Sequence, residues 1–356
     1  MLPIAMATGA SVYLLYHAMP EPVHRAGPFL SGFAGVLQPL LIFAMLFLTF
    51  CRIEPKDLKP HRWHWWLLLI QGGVFSVLGL VAFWLIRVLG AEPGQSDAVV
   101  LIESAMLCFI CPTATAAAVV TRKLGGDVPG ITTYIVLINI LTALLVPLVV
   151  PLMHPESGAD FWTAFSMIMA KVFPLLITPC LCAWLVRYLV PQLHRWLLKF
   201  PDLAFYLWSV ALTMAIAVTT RSIVHSSMSF RLLAMIALIS LICCVFQFGM
   251  GRLIGGRYRP RYRTGAPASP SALEAEERGR RIRTITAGQS LGQKNTVFAI
   301  WMGYTFMTPE TAIVGGFYSI WHNLYNSWQL RRAVKMTINI FILSMLYVVA
   351  HRWLML

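Results

Sequence analysis

The residue best placed to do chemistry is a lysine in the middle of an apolar run. Lys294 lies in Gly-Gln-Lys-Asn-Thr (Gly292 to Thr296), inside a hydrophobic stretch from Ile285 to Tyr304. A charge at the centre of a membrane helix costs about 2.5–3.5 kcal/mol on insertion scales and faces a cavity or a partner rather than lipid. Around it, Gly288 and Gly292 permit non-helical backbone, and Gln289, Ser290, Gln293 and Asn295 supply polar groups. A second interruption, Cys-Pro-Thr-Ala-Thr-Ala-Ala-Ala (Cys111 to Ala118), sits within the apolar run Val99 to Thr121. Pro112 has no N–H and clashes with the carbonyl of Cys108, so a helix there must bend or split. Beyond it, Thr113 and Thr115 alternate with alanines small enough to let another backbone come close. Broken membrane helices expose backbone amides, which is tolerated only inside protein or beside a water-filled cavity. Two breaks at corresponding positions of two halves point to a transporter's binding site, with helix ends and their partial charges meeting at mid-membrane.

Other polar residues within apolar runs are candidates beside Lys294. Glu103 is the one acid well inside a span and is its candidate partner. The pair is either a structural ion pair or part of a device in which the lysine exchanges its proton. Gln71 is expected to reach the broken region or to bond between helices. His322, in Trp321-His322-Asn323, is a packing histidine or contacts substrate or a proton. Lys171, two turns into its span, is expected to snorkel or to pair structurally.

The elements that must position these residues are membrane helices. The chain has 356 residues, 58% hydrophobic and 12% charged, with a mean hydropathy of +0.72. A soluble domain carries about 25% charge. Hydrophobic spans fall at 2–19, 29–51, 64–87, 98–121, 129–152, 162–188, 203–223, 230–254, 284–304, 309–330 and 334–352, most of them near the roughly 20 residues that cross the hydrocarbon. The first has no basic leader and reads as a retained helix rather than a signal peptide. Lys and Arg gather on alternate connections: 52–62, 122–123, 187–199, nine arginines from Arg252 to Arg283, and 331–335. The other side holds Arg25, Arg87, Arg221, Arg231 and Arg352. By the positive-inside rule the N-terminus is cytoplasmic, and the protein is expected to be multi-pass in the plasma membrane, or the inner membrane of a bacterium. The net charge of +14 then serves orientation and attraction to anionic lipid. No soluble module accompanies it, so nucleic acid is not an expected partner. The seven cysteines fall in or at the ends of apolar spans and read as packing residues.

Spans one to five and six to ten make two sets of five, and an odd number of crossings per set forces opposite orientations. The expected fold class is therefore an all-α polytopic membrane protein: two inverted five-helix repeats with crossed broken helices (spans four and nine), plus an eleventh helix. The organisation read along the chain is 1–255 for spans one to eight and 256–283 for a basic cytoplasmic linker with a short helix at 271–281. Residues 284–330 then carry spans nine and ten, completing the core, and 331–356 an additional span.

Several of these residues together resemble the bile acid/sodium symporter family: Cys111-Pro112 followed by Thr115-Ala116, Gly126-Asp127 after span four, Gly292 with Asn295-Thr296, and Ser319-Ile320-Trp321-His322-Asn323. The resemblance runs from span two to span ten. It implies a panel domain (spans one, two, six, seven) and a core domain (three to five, eight to ten), with alternating access for organic anions. The chain also departs from the family. Ala117 and Ala118 stand where the resemblance implies Ser-Asn, and Ser290 and Lys294 stand where it implies an acid followed by Gln. Those positions supply sodium's oxygen ligands in the family, and hard cations want oxygen donors. Gln71 matches a sodium-site glutamine of the family.

The resulting expectation is a secondary transporter of an organic anion, with Lys294 replacing the cation. Thr113, Thr115, Gln293, Asn295 and His322 would bind substrate, and Lys294, Glu103, Gln71 and Ser290 would be concerned with coupling. Protons or a counter-substrate are the other possible partners, and a sodium-coupled symporter is the first alternative. A second is an intramembrane serine protease, because Gly288-Gln289-Ser290-Leu291-Gly292 fits G-x-S-x-G and Ser290 would pair with His322. A receptor or scaffold is a third. No H-E-x-x-H motif or Walker-type loop occurs, and no catalytic residue, resident metal or cofactor is expected.

Overall fold

The computed structural model describes residues 1–20, 27–92, 95–154, 160–226, 228–258 and 270–333. The eleventh span, read at 334–352, lies outside the described residues, as does the side chain of Lys171. In chain order the helices are α1 (Leu2–His17), α2 (Gly27–Phe50), α3 (Arg62–Arg87), α4 (Asp97–Ile110), α5 (Ala116–Lys123), α6 (Val128–Met153), α7 (Phe161–Leu189), α8 (Pro191–Leu198), α9 (Leu203–Val224), α10 (Phe230–Arg257), α11 (Pro270–Gly292), α12 (Thr296–Phe306), the short α13 (Pro309–Ala312) and α14 over 314–333. No strand occurs among the described residues. Helices α2, α3, α6, α9 and α10 are each long and apolar enough to cross a membrane, and the protein is a polytopic all-α membrane protein.

Helix starts follow local capping chemistry. An N-cap side chain accepts a backbone N–H that the helix itself leaves unpaired. Asp127 accepts from Gly130 at the start of α6, Asp160 from Thr163 at α7, Ser229 from Leu232 at α10 and Asn295 from Phe298 at α12. Hydrogen bonds donated by the Thr163 hydroxyl and N–H hold the Asp160 carboxyl, at the start of α7, below the usual carboxylate range. At the end of α5, Gly125 takes φ +78°, a left-handed angle that closes a helix at little cost for glycine. Its N–H and that of Gly126 return to the Arg122 and Thr121 carbonyls.

The helices pack in two groups. In one, α1 lies on α9, α9 on α2, and α2 on α7. Its core includes Leu2, Met6, Met45, Leu48, Trp208 and Leu212. In the other, α3 packs on α4 and α6, α10 on α4, and α11 on α10, around Phe75, Met106, Ile110, Phe248, Met302 and Tyr318. Helix α5 meets both groups.

The structure revises one boundary. The sequence reading has a linker to residue 283 and a separate short helix at 271–281. Instead α11 runs unbroken from Pro270 to Gly292. Nothing in Arg278 to Thr284 stops a helix apart from the single Gly279, and Glu277 and Arg280 face each other one turn apart at 3.7 Å, a spacing that supports helix.

Candidate functional site

Both expected breaks are present, and they cross. Helix α4 ends at Ile110 and α5 begins at Ala116; α11 ends at Gly292 and α12 begins at Thr296. Between them Thr113 and Lys294 form an antiparallel bridge, the one β-type pairing among the described residues. The Ala114 N–H donates to the Gln293 carbonyl (3.0 Å) and the Asn295 N–H to the Pro112 carbonyl (2.8 Å). Each break thus satisfies amides that the other exposes, as buried backbone requires.

The carbonyls at the helix C-termini are served by side chains. At the end of α4, Gln247 Nε2 donates to the Cys108 carbonyl (3.1 Å), Lys294 Nζ to Phe109 (3.2 Å), Thr142 Oγ1 to Ile110 (2.8 Å) and Gln71 Nε2 to Cys111 (3.1 Å). At the end of α11, Thr113 Oγ1 donates to the Ser290 carbonyl and Tyr318 Oη to Gly292 (2.8 Å). A helix C-terminus carries roughly half a negative charge. Lys294, 1% exposed, thus donates through Nζ into the negative end of α4, which favours the charged form of the amine. Among the described residues no carboxylate pairs with it.

Glu103 is not its partner. The carboxylate of Glu103 accepts from Thr311 Oγ1 (2.9 Å) and meets His154 Nε2 at 2.6 Å. Six residues of helix separate Glu103 from Phe109, about 9 Å of rise, so a lysine reaching the Phe109 carbonyl stops well short of Glu103. The acid ties α4 to the end of α6 and to α13 instead.

The other expected residues divide into two sets. Gln71 is fully committed to bracing: besides its bond to Cys111, its Oε1 accepts from Tyr134 Oη (2.9 Å). Thr113 is buried at the crossing. Ser290 is buried and its hydroxyl has no hydrogen-bond partner, while His322 Nδ1 accepts the Lys294 N–H (3.3 Å). The Ser–His pair required by the protease alternative is absent, and the G-x-S-x-G pattern lies on a helix rather than on a strand–turn–helix elbow.

Thr115, Gln293, Lys294, Asn295 and His322 come together on one wall of a narrow cavity of about 80 Å³. Its opposite wall is Gln38, Ile42 and Met45 of α2 with Trp208 and Leu212 of α9. Asn323 also lines it, and the Oδ1 of Asn323 and the Oε1 of Gln293 are buried with no partner. Two wider cavities lie between helices on either side of the crossing level. One of about 530 Å³ is lined by Arg52, Arg122, Lys123 and Asp202 among others. The other, about 370 Å³, is lined by Arg221, His225 and Glu310 among others. At the first, the end of α5 is tied to the α8–α9 turn: Arg122 Nη1 donates to the Pro201 carbonyl (2.8 Å), and Lys123 pairs with Asp202. The Lys123 hydrogen bond holds the Asp202 carboxyl below the usual carboxylate range.

Sequence reasoning missed Gln247, Thr142 and Tyr318, which cap the broken ends, and the α2 and α9 side chains of the facing wall. The signal for Gln247 was the same as for Gln71: a strongly polar residue in mid-span must find a partner.

An all-helical membrane protein whose centre is a pair of crossed, interrupted helices beside a narrow crevice has the architecture of a transporter. The model of the SBF-like CPA transporter family matches residues 5–349, and the chain belongs to that family. The protein is a multi-pass membrane transporter. No curated protein matches the sequence.

Proposed function

We propose that this transporter carries a small organic anion by alternating access without sodium, the Lys294 ammonium standing where a coupling cation would otherwise bind. The observation that carries the reading is the buried ammonium on the Phe109 carbonyl at the crossing. A fixed positive charge there repels a second cation, and the neighbouring Ala117 and Ala118, both buried, have no side-chain oxygen to ligate one. Gln71 has both polar ends engaged. Anion cargo is supported by the cationic side chains in the two wider cavities and by the positive charge at the crossing, which focus attraction for a negative ligand.

The crevice at the crossing, about 80 Å³, is far below the roughly 300 Å³ of the smallest usual ligand site. Cargo binding therefore requires α2 and α9 to move away from the crossing. In this reading α1, α2, α7 and α9 act as the panel and the helices around the breaks as the moving core. The two halves are inverted repeats, the N-terminus is cytoplasmic, and the protein works in the plasma membrane or a bacterial inner membrane. Protons or a counter-substrate remain available for coupling.

The test is uptake into proteoliposomes of anions first selected by thermal shift, run on wild type and Lys294→Ala at several pH values with and without a sodium gradient. Uptake of an anion by wild type that ignores sodium, and its loss in Lys294→Ala, is the expected result. Strict sodium dependence would refute the reading.

A further inference from the structure

Helices α10 and α11 run side by side with no room for a side chain at Gly251 or Gly255. A Cβ on Gly251 would lie 2.4 Å from the Ala287 carbonyl oxygen, and one on Gly255 2.4 Å from that of Arg283. Such close packing fixes how the polar ends of the two helices project. Arg252 and Arg257 project from α10, Arg280 and Arg281 from α11, and Arg332 from α14, and all five line one open pocket of about 680 Å³. Glu277 is the single carboxylate among the lining residues, and it lies 3.7 Å from Arg280. Rigid packing thus gathers five guanidiniums around one acid, an arrangement that attracts and concentrates anions.

Two of the five are already oriented. Arg252 Nη1 donates to Tyr325 Oη at 3.2 Å. The Arg332 guanidinium sits over the Trp328 ring, 5.4 Å from its centroid, and Tyr325 and Trp328 stack at 5.6 Å. A guanidinium held in one plane presents paired N–H donors that match the oxygens of a phosphate, and little freedom is left to lose on binding.

We propose that this pocket is a binding site for a phosphate-bearing anion of two or more negative charges, separate from the cargo crevice at the crossing. The chemistry fits the headgroup of an anionic lipid, since exposed Leu253 and Trp328 flank the arginines. It fits a soluble phosphate ester equally. None of this depends on what the cargo is, and binding is read without any transport assay.

The experiment uses the full chain purified in detergent. One arm titrates inorganic pyrophosphate and follows melting temperature and Kd. The other counts retained cardiolipin, whose headgroup carries two phosphates, against phosphatidylcholine by native mass spectrometry. Both arms are run on wild type, on Arg257→Gln/Arg280→Gln/Arg281→Gln, and on Lys59→Gln/Arg62→Gln/Arg195→Gln, which removes the same charge from exposed positions elsewhere. Ligand-free melting of each variant checks that it folds. The pocket variant should bind about tenfold more weakly, as expected for losing charge-assisted bonds, while the control stays within about twofold of wild type. Loss in the lipid arm alone names a headgroup, loss in the pyrophosphate arm names a soluble ester or either source, and each supports the site. Equal weakening in both variants, or no saturable binding of either probe to wild type, overturns it.

Discussion

The break between α4 and α5 and the break between α11 and α12 occupy one place and contribute opposite things. The first offers carbonyls: those of Cys108, Phe109, Ile110 and Cys111 are all taken up by donors from other helices. Its own side chains, from Cys111 to Thr115, carry no charge. The second brings the charge, with Lys294 donating into the first break and Asn295 capping α12. Two helix C-termini pointed at a common centre both bring partial negative charge. A positive charge at that centre offsets them, and in the proposed reading Lys294 supplies it.

This asymmetry is broken most severely at Lys294. Lys294→Ala should lower stability by about 2–5 kcal/mol, the range for emptying a long buried side chain, and abolish uptake. Lys294→Met keeps most of the volume and isolates the charge; it should cost about 1–3 kcal/mol for the orphaned Phe109 carbonyl. Unfolding in detergent checks both, and a Met variant as stable as wild type would mean that the ammonium does not hold the crossing.

The receiving side is probed at Gln71. Gln71→Leu strands the Cys111 carbonyl and the Tyr134 hydroxyl, both buried, at a cost of about 1–3 kcal/mol. A matched melt of Thr142→Val, whose hydroxyl is shared between the Ile110 and Ile138 carbonyls, should show a smaller drop of about 1 kcal/mol.

At the second break, Gly292→Ala would place a Cβ 2.3 Å from the Phe248 ring. Overpacking of that kind costs about 1–3 kcal/mol, and much of it should be recovered in the double variant with Phe248→Leu.

The smallest effect lies away from both breaks, at the tie between Lys123 and Asp202. A carboxyl whose folded pKa is lowered contributes stability that is present above its unfolded pKa and is lost as pH falls through the folded value. Asp202→Asn should therefore cost under about 1 kcal/mol near neutrality, as for other exposed pairs. The gap to wild type should close as the pH is taken below about 4, which melting curves across pH will show.

How much of this was legible differs between the two kinds of signal. Pro112 and the Gly292–Thr296 run break periodicity outright, so their positions and their meeting could be read from residue types alone. Lys294 stood out because a charge in an apolar run has few allowed environments. The partner of Glu103 could not be read, because it depends on the rotation of α4 against α6 and α13, which spacing along one helix does not reveal. Trp208 and Leu212 looked like any lipid-facing residues of an apolar helix; only packing shows that they wall the crevice. The polar stretch before residue 284 concealed the start of α11, since Glu and Arg are good helix formers that composition alone reads as a linker.

The central claim, that an ammonium replaces a metal cation where the breaks cross, is tested most directly by melting the wild-type protein while sodium is exchanged for potassium at constant ionic strength. The account predicts a melting temperature that does not respond to sodium. A saturable sodium-specific rise would contradict it, because it would require a cation site beside a side chain that should repel one.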